Sequence, residues 1–203
     1  RMMRIEITAI LRKPDLLKCT AASVIGAIIE ASILGLEVES KLNQAHLVPF
    51  NNRKSGKKEC ILIPDYRGLM KLSRNTGEVS MFKGEAVYEG DEIEFEYGLT
   101  PKLRHVPKFI SDKQTHAYAV AKMKDGTMIF RIWPVAKINK IRAKSPAAAS
   151  GPWVTDYEPM SIKTMIKQLI KLLPQSPELA RAIALDDAAD MGRSQNLGSI
   201  EVL

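Results

Sequence analysis

Cysteine is close to absent: Cys19 and Cys60 are the only two in 203 residues, and they form no C-x-x-C pair. Histidine is as scarce, and His46, His105 and His116 fall at no zinc-ligand spacing. A disulfide-stapled secreted scaffold and a zinc module are both excluded by this usage, which points to a reduced protein of the cytoplasm. No apolar run approaches the length of a membrane span, and no charged-then-apolar leader opens the chain, so no membrane partner is expected. The chain starts on Arg1 rather than methionine, which leads us to expect further residues upstream of this sequence.

The motifs of bond-making chemistry are missing too. A phosphate-cradling G-x-x-x-x-G-K-[ST] loop would need glycine where Asn51 stands and Ser or Thr where Lys58 stands, so Gly56-Lys57 does not make one. There is no G-x-S-x-G elbow, and neither cysteine sits in a nucleophile motif. Pro64-Asp65 has the look of the start of a Mg²⁺-dependent nuclease site, but beyond Asp65 no Asp or Glu is followed two residues later by Lys. Glu92, Glu94 and Glu96 alternate along a strand and read as the wet face of a sheet rather than as metal ligands. The expectation is a protein that binds rather than an enzyme, needing neither ATP nor another cofactor, with Mg²⁺ indicated by no marked site.

What the chain does have is positive charge, unevenly placed. Thirty Lys and Arg against 23 Asp and Glu give a net +7, and from Glu178 onward the balance reverses, with Arg181 and Arg193 against Glu178, Asp186, Asp187, Asp190 and Glu201. A basic body with an acidic tail suits a polyanion, nucleic acid first and an anionic membrane surface second. Lys163, Lys167 and Lys171 recur every four residues. On a helix each sits about 40° round from the last, so the three form one slanting row. Ile162, Met165, Ile166, Leu169 and Leu173 supply the apolar face that would anchor that helix. A merely solvated face mixes signs to gain i,i+4 pairs, yet residues 160–173 contain no acid. Arg67, Lys71 and Arg74 form a second row at i, i+4 and i+7, beside Tyr66, and Lys57 and Lys58 lie with Arg53 and Lys54 at a polar, Gly-containing loop. Tyr66, Trp153 and Tyr157 flank the rows, where they could stack bases or serve as core anchors.

Periodicity and turn chemistry predict an α+β fold, a mostly antiparallel twisted sheet of hairpins packed against helices in a single domain. A helix is expected over 20–36, with Ile25, Ile28, Ile29, Ile33 and Leu36 as its buried stripe and Gly35 as its stop. A hairpin follows over 44–63, then a short helix over 65–75 with Asp65 as N-cap and Gly77 as stop. Two strands flank a turn at 89–91, a hairpin over 116–133 turns at Asp125-Gly126, and a helix opens at Pro134. A loop over 145–152 leads into the basic helix, which Pro174 ends, and a last helix covers 177–189. Residues 1–176 are read as the binding domain and 177–203 as a terminal helix with an acidic tail.

The order of these segments is similar to a known family. Ala-Ser-Ile-Leu-Gly-Leu-Glu (31–37), Gln-Ala-His-Leu-Val-Pro-Phe-Asn-Asn (44–52), Tyr-Arg-Gly-Leu-Met-Lys-Leu-Ser-Arg-Asn-Thr-Gly-Glu-Val (66–79), Tyr-Glu-Gly-Asp-Glu-Ile-Glu-Phe-Glu-Tyr-Gly-Leu (88–99), Ala-Tyr-Ala-Val-Ala-Lys-Met-Lys-Asp-Gly (117–126) and Gly-Pro-Trp-Val-Thr (151–155), ending in Lys163-Thr164 and the Leu-Leu-Pro stop, resemble the RecT family of phage single-strand annealing proteins over residues 1–180. The resemblance implies an ATP-independent protein of phage-type homologous recombination, encoded by a phage or prophage and acting in the bacterial cytoplasm. It would bind single-stranded DNA and the annealed duplex intermediate, work beside a 5′→3′ exonuclease, and assemble as a homo-oligomeric ring or helical filament. The contacts it implies are Tyr66, Arg67, Lys71 and Arg74 from the first basic helix and Lys163, Thr164, Lys167 and Lys171 from the second, with Lys57, Lys58 and Trp153 as further candidates. Three positions depart from the family pattern: Pro64-Asp65 where a glycine commonly precedes the tyrosine, Ile162 where a second lysine often stands, and Trp133-Pro134 at a usually more polar junction. The family's N-terminal region, tied to assembly, is expected to be missing from this chain. A Mg²⁺ nuclease centred on Asp65 and a nonspecific nucleic-acid coat are the alternatives.

Overall fold

Thr20 opens the first long helix, α1 (Ala21–Ile33), its hydroxyl accepting from the Ser23 amide. Gly35 closes it. With φ of +64°, Gly35 donates its N–H to the Ser32 carbonyl and lets the Leu36 N–H reach the Ala31 carbonyl at 2.9 Å, so two terminal carbonyls are satisfied. These features come from the computed structural model, which describes residues 13–145 and 148–197. It divides into two compact units, residues 1–72 with 175–203, and residues 73–174.

In the first unit α1 packs against a two-stranded antiparallel ladder of β1 (Ala45–Asn51) and β2 (Lys58–Pro64), in register from Ala45↔Pro64 to Asn51↔Lys58. The face it buries is the small one: Ser23, Val24, Gly26, Ala27 and Ala31. Ile25, Ile29 and Ile33, expected inside, are 53%, 41% and 66% exposed. The reason is close approach, since a Cβ on Gly26 would lie 1.7 Å from the Leu197 carbonyl oxygen. The terminal helix, here α6 (Pro177–Asp190), begins at the Ser176 cap, buries Leu179, Ala182 and Leu185, and packs on β2. Past it, the Gln195 amide accepts from the Leu62 N–H and donates to the Leu62 carbonyl, both at 2.8 Å, imitating one rung of a further strand. Residues 175–197 thus fold with the first unit, while Glu201 of the expected acidic tail lies outside the described residues. Helix α2 (Tyr66–Asn75) carries the chain from this unit into the next.

The second unit is built on a three-stranded antiparallel sheet of order β3 (Val79–Tyr88), β6 (Gln114–Met123), β7 (Met128–Pro134). The turn at 89–91 does not fold β3 onto its neighbour β4 (Glu92–Glu96), which pairs instead with β5 (Lys102–Val106), a strand the sequence reading passed over. That hairpin covers one face of the sheet, where Val87, Tyr118, Val120, Phe130 and Ile132 form a core that Ile93, Leu103 and Met128 extend. Asp91 moors it. Its carboxylate accepts from the Lys108 and Tyr88 amides at 2.8 Å and lies 3.1 Å from the His105 ring, and those bonds hold its pKa below the usual carboxylate value. On the opposite face the register aligns small residues, Gly84↔Ala119 and Ala86↔Ala117. Helix α5 (Tyr157–Ile170) seats there, and a Cβ on Gly84 would stand 2.8 Å from Ile162 Cγ2. Helices α3 (Val135–Arg142) and α4 (Pro152–Thr155) complete the unit. The α+β class, hairpins packed on helices, is as the sequence led us to expect.

Candidate nucleic-acid interface

Asp65 shapes the start of the first basic row. Its carbonyl accepts from the Leu69 N–H and its carboxylate from the Arg67 N–H, so it serves as the cap of α2. The exposed guanidinium of Arg67 lies 5.7 Å from the Tyr66 ring centroid and its Nε donates to the phenol oxygen, which fixes a cation beside an aromatic face. Arg74, a turn and more further on, is exposed, and its guanidinium lies 3.5 Å from the Phe82 carbonyl. Lys71 between them has other work. Its Nζ donates to the Gly35 carbonyl at 2.7 Å and to Gln44 Oε1 at 3.0 Å, and the same oxygen accepts from the Glu37 amide. The ammonium therefore closes the C-terminal end of α1, where a cation is favoured by the helix dipole. Gly68 makes that junction possible, since a Cβ there would stand 2.2 Å from the Gln44 carbonyl.

The second row lies on α5. Met165, Ile166, Leu169 and Ile170 are buried, which sets Lys163 and Lys167, both half-buried, along the flank, with the exposed Lys171 at the C-cap. Thr164 is 6% exposed and donates its hydroxyl to the Met160 carbonyl at 2.8 Å; it braces the helix and presents nothing to solvent. Trp153 is 5% exposed, its ring centroid 6.0 Å from that of Tyr157, so it serves as the core anchor weighed beside the stacking role. On the β1–β2 loop Lys57 is exposed, and Lys58 is half-buried with its carbonyl accepting the Thr20 N–H.

The acids of β4 are matched across the hairpin. Glu96 pairs with Lys102 at 3.4 Å, and Arg104 reaches Glu92 at 3.4 Å and Glu94 at 3.9 Å. Lys108 sits 2.7 Å from Glu92, and the pull of these cations holds the Glu92 carboxyl below its ordinary value. Among the described residues no three His, Cys, Asp or Glu side chains gather as a metal cluster.

The model of the RecT family matches residues 1–197, a span that takes in both basic helices. This chain belongs to the RecT family. It is 44% identical over 190 residues to Protein RecT of Escherichia coli (strain K12), covering 92% of this chain and 71% of that protein. It is 26% identical over 172 residues to Uncharacterized protein YqaK of Bacillus subtilis (strain 168), covering 84% of this chain and 58% of that protein. The RecT match takes in both basic helices and also a third one-signed region that the sequence reading did not single out, helix α3 with Lys137, Lys140 and the following Lys144. Its signal was legible: residues 126–155 contain five basic residues and no acid.

Proposed function

We propose that this RecT-family chain binds single-stranded DNA and anneals it to a complementary strand, without ATP and without making or breaking covalent bonds, in recombination of the phage type. Family membership across residues 1–197 is the observation that carries this reading, and the basic helices give it chemistry. Arg67 and Arg74 on α2, Lys163, Lys167 and Lys171 on α5, and Lys57 on the loop take phosphates of an extended strand. Lys58, Lys71, Thr164 and Trp153 support the elements that present them, and Tyr66 orients Arg67.

Neutralised phosphates no longer repel a second strand, and a strand held extended cannot fold back on itself. Base pairing then supplies the driving energy. Binding of the protein to both the single strand and the annealed intermediate, assembly of copies into a ring or filament, supply of the strand by a 5′→3′ exonuclease, and action in the bacterial cytoplasm all belong to this proposal.

An ATP-free annealing assay with labelled complementary strands, run with and without Mg²⁺, tests it. Intact strands converted to duplex faster than in protein-free buffer are expected, and shortened strands would point to nuclease chemistry at Asp65. Binding should weaken with salt at a slope of about −0.7 per phosphate contact. Binding that stays flat across salt, or that leaves the pairing rate unchanged, would sink the reading in favour of a passive coat or no nucleic-acid role.

A further inference from the structure

Helix α3 and the strand end before it form a second patch that none of the foregoing contacts uses. Trp133 is the penultimate residue of β7, the outer strand of the sheet, and its pairing with Ala117 puts it on the sheet face that α5 covers. The ring is only partly covered, and the ammonium of Lys137, four residues on, lies 3.9 Å from its centroid. Lys140 and Lys144 continue from Lys137 at i+3 and i+7, along the exposed side of the helix and its first residues beyond. Ile138 is fully buried and pins the opposite side.

Two further bonds hold the patch still. Arg142 donates through Nε to the Ala148 carbonyl at 2.8 Å with its guanidinium 5.9 Å from the Tyr157 ring, and the Tyr157 hydroxyl donates to Asn139 Oδ1 at 2.9 Å. Arg142 is thus committed to the fold. Lys137, Lys140 and Lys144 are not: among the described residues none of the three is paired with a carboxylate, and no acid occurs anywhere in residues 126–155.

An exposed cationic row beside one aromatic face suits a ligand that carries regularly spaced negative charge and flat rings in alternation. Phosphates would take the lysines, and a base could stack on Trp133 as Lys137 turns from the ring to the neighbouring phosphate. A lipid surface fits poorly, because the exposed residues beside and between the lysines are Ala136, Asn139 and Ala143, which offer little apolar area for insertion. We infer that Trp133, Lys137, Lys140 and Lys144 form an additional single-stranded nucleic-acid contact surface, with Trp133 as a base-stacking platform and the three lysines as phosphate ligands. The inference rests on the single-stranded DNA binding proposed above and extends it to a surface outside the two basic helices.

The test uses the full chain, an oligothymidylate, and an abasic oligonucleotide of the same length. Trp153 is buried, so quenching of tryptophan emission by the oligothymidylate should come from Trp133, disappear in Trp133→Phe, and be absent with the abasic strand. Replacing Lys137, Lys140 and Lys144 together by Gln should make the salt slope of binding shallower by about 2, three contacts at about 0.7 each, with an unchanged thermal transition. The inference stands only if both effects appear. A wild-type slope in the triple variant, or quenching that survives Trp133→Phe, overturns it while leaving annealing by the parent chain intact. A parent chain that fails to bind the oligonucleotide overturns both.

Discussion

The β4–β5 hairpin and helix α3 both carry dense charge within the second unit, and they dispose of it in opposite ways. In the hairpin, Glu94 faces Arg104 and Glu96 faces Lys102 in the ladder itself, and Lys108 and Arg104 converge on Glu92. Around α3 the lysines meet, among the described residues, a ring and no carboxylate. Exposed ion pairs are each worth at most about 1 kcal/mol, so the hairpin's charges set register and solubility more than stability. Unmatched cations do something else: they raise the local potential and gain most when a polyanion arrives. Net charge says that a partner is anionic; the local balance of signs says where it binds.

The hairpin rests on the sheet through Phe130. Phe130 is buried, its ring stacks on Tyr97 with centroids 4.8 Å apart, and it belongs to the core on which Ile93 and Leu103 rest. Phe130→Ala should cost about 3–5 kcal/mol of unfolding free energy in urea, while below its melting transition the salt slope for oligonucleotide binding stays that of the parent. A shallower slope in the folded variant would bring the hairpin into the binding surface and undo the contrast with α3.

Within α2 the cations divide in the same two ways. Arg67 and Arg74 point outward, whereas the Lys71 ammonium is spent on the Gly35 carbonyl and Gln44. Lys71→Met should lower stability by about 1 kcal/mol in equilibrium unfolding and leave the salt slope alone, because hydrogen bonds are lost and no phosphate contact is. The reverse pattern, parent stability with a slope shallower by about 0.7, would return Lys71 to the ligand.

The residues that were legible in the sequence are those whose meaning is local. Gly35 needs a positive φ, Asp65 caps the helix after it, and Asp125-Gly126 turns a hairpin, whatever surrounds them. The two lysine and arginine rows were visible for the same reason, since i,i+4 spacing is set by the helix alone. What stayed hidden depends on distant partners. The isoleucines of α1 repeat like a buried stripe, but the close seat at Leu197 demands the small face instead. The turn at 89–91 looks like a hairpin, yet strand pairing is decided by which faces bury Val87 and Phe130. Spacing could place Lys71 on the row; it could not show that the end of α1 stands within 2.7 Å of its ammonium.

Arg104 is the most heavily paired cation of the hairpin, and its side chain is 58% exposed. If its charge is satisfied by Glu92 and Glu94, Arg104→Gln removes two long, solvent-screened contacts and leaves two acids less neutralised. The change in stability should then fall below about 1 kcal/mol, and it should shrink further in high salt, where a screened pair has less to lose. Oligonucleotide affinity should hold, since no phosphate loses a ligand. Lys140→Gln alters one charge of the same sign at a comparably exposed place that has no paired acid among the described residues, so it should leave stability unchanged and make the salt slope shallower by about 0.7. The pair of variants separates charge that is already matched from charge that awaits a strand: equal effects of the two on binding would mean that only the total positive charge matters, and that the local sign balance around α3 does not direct the DNA.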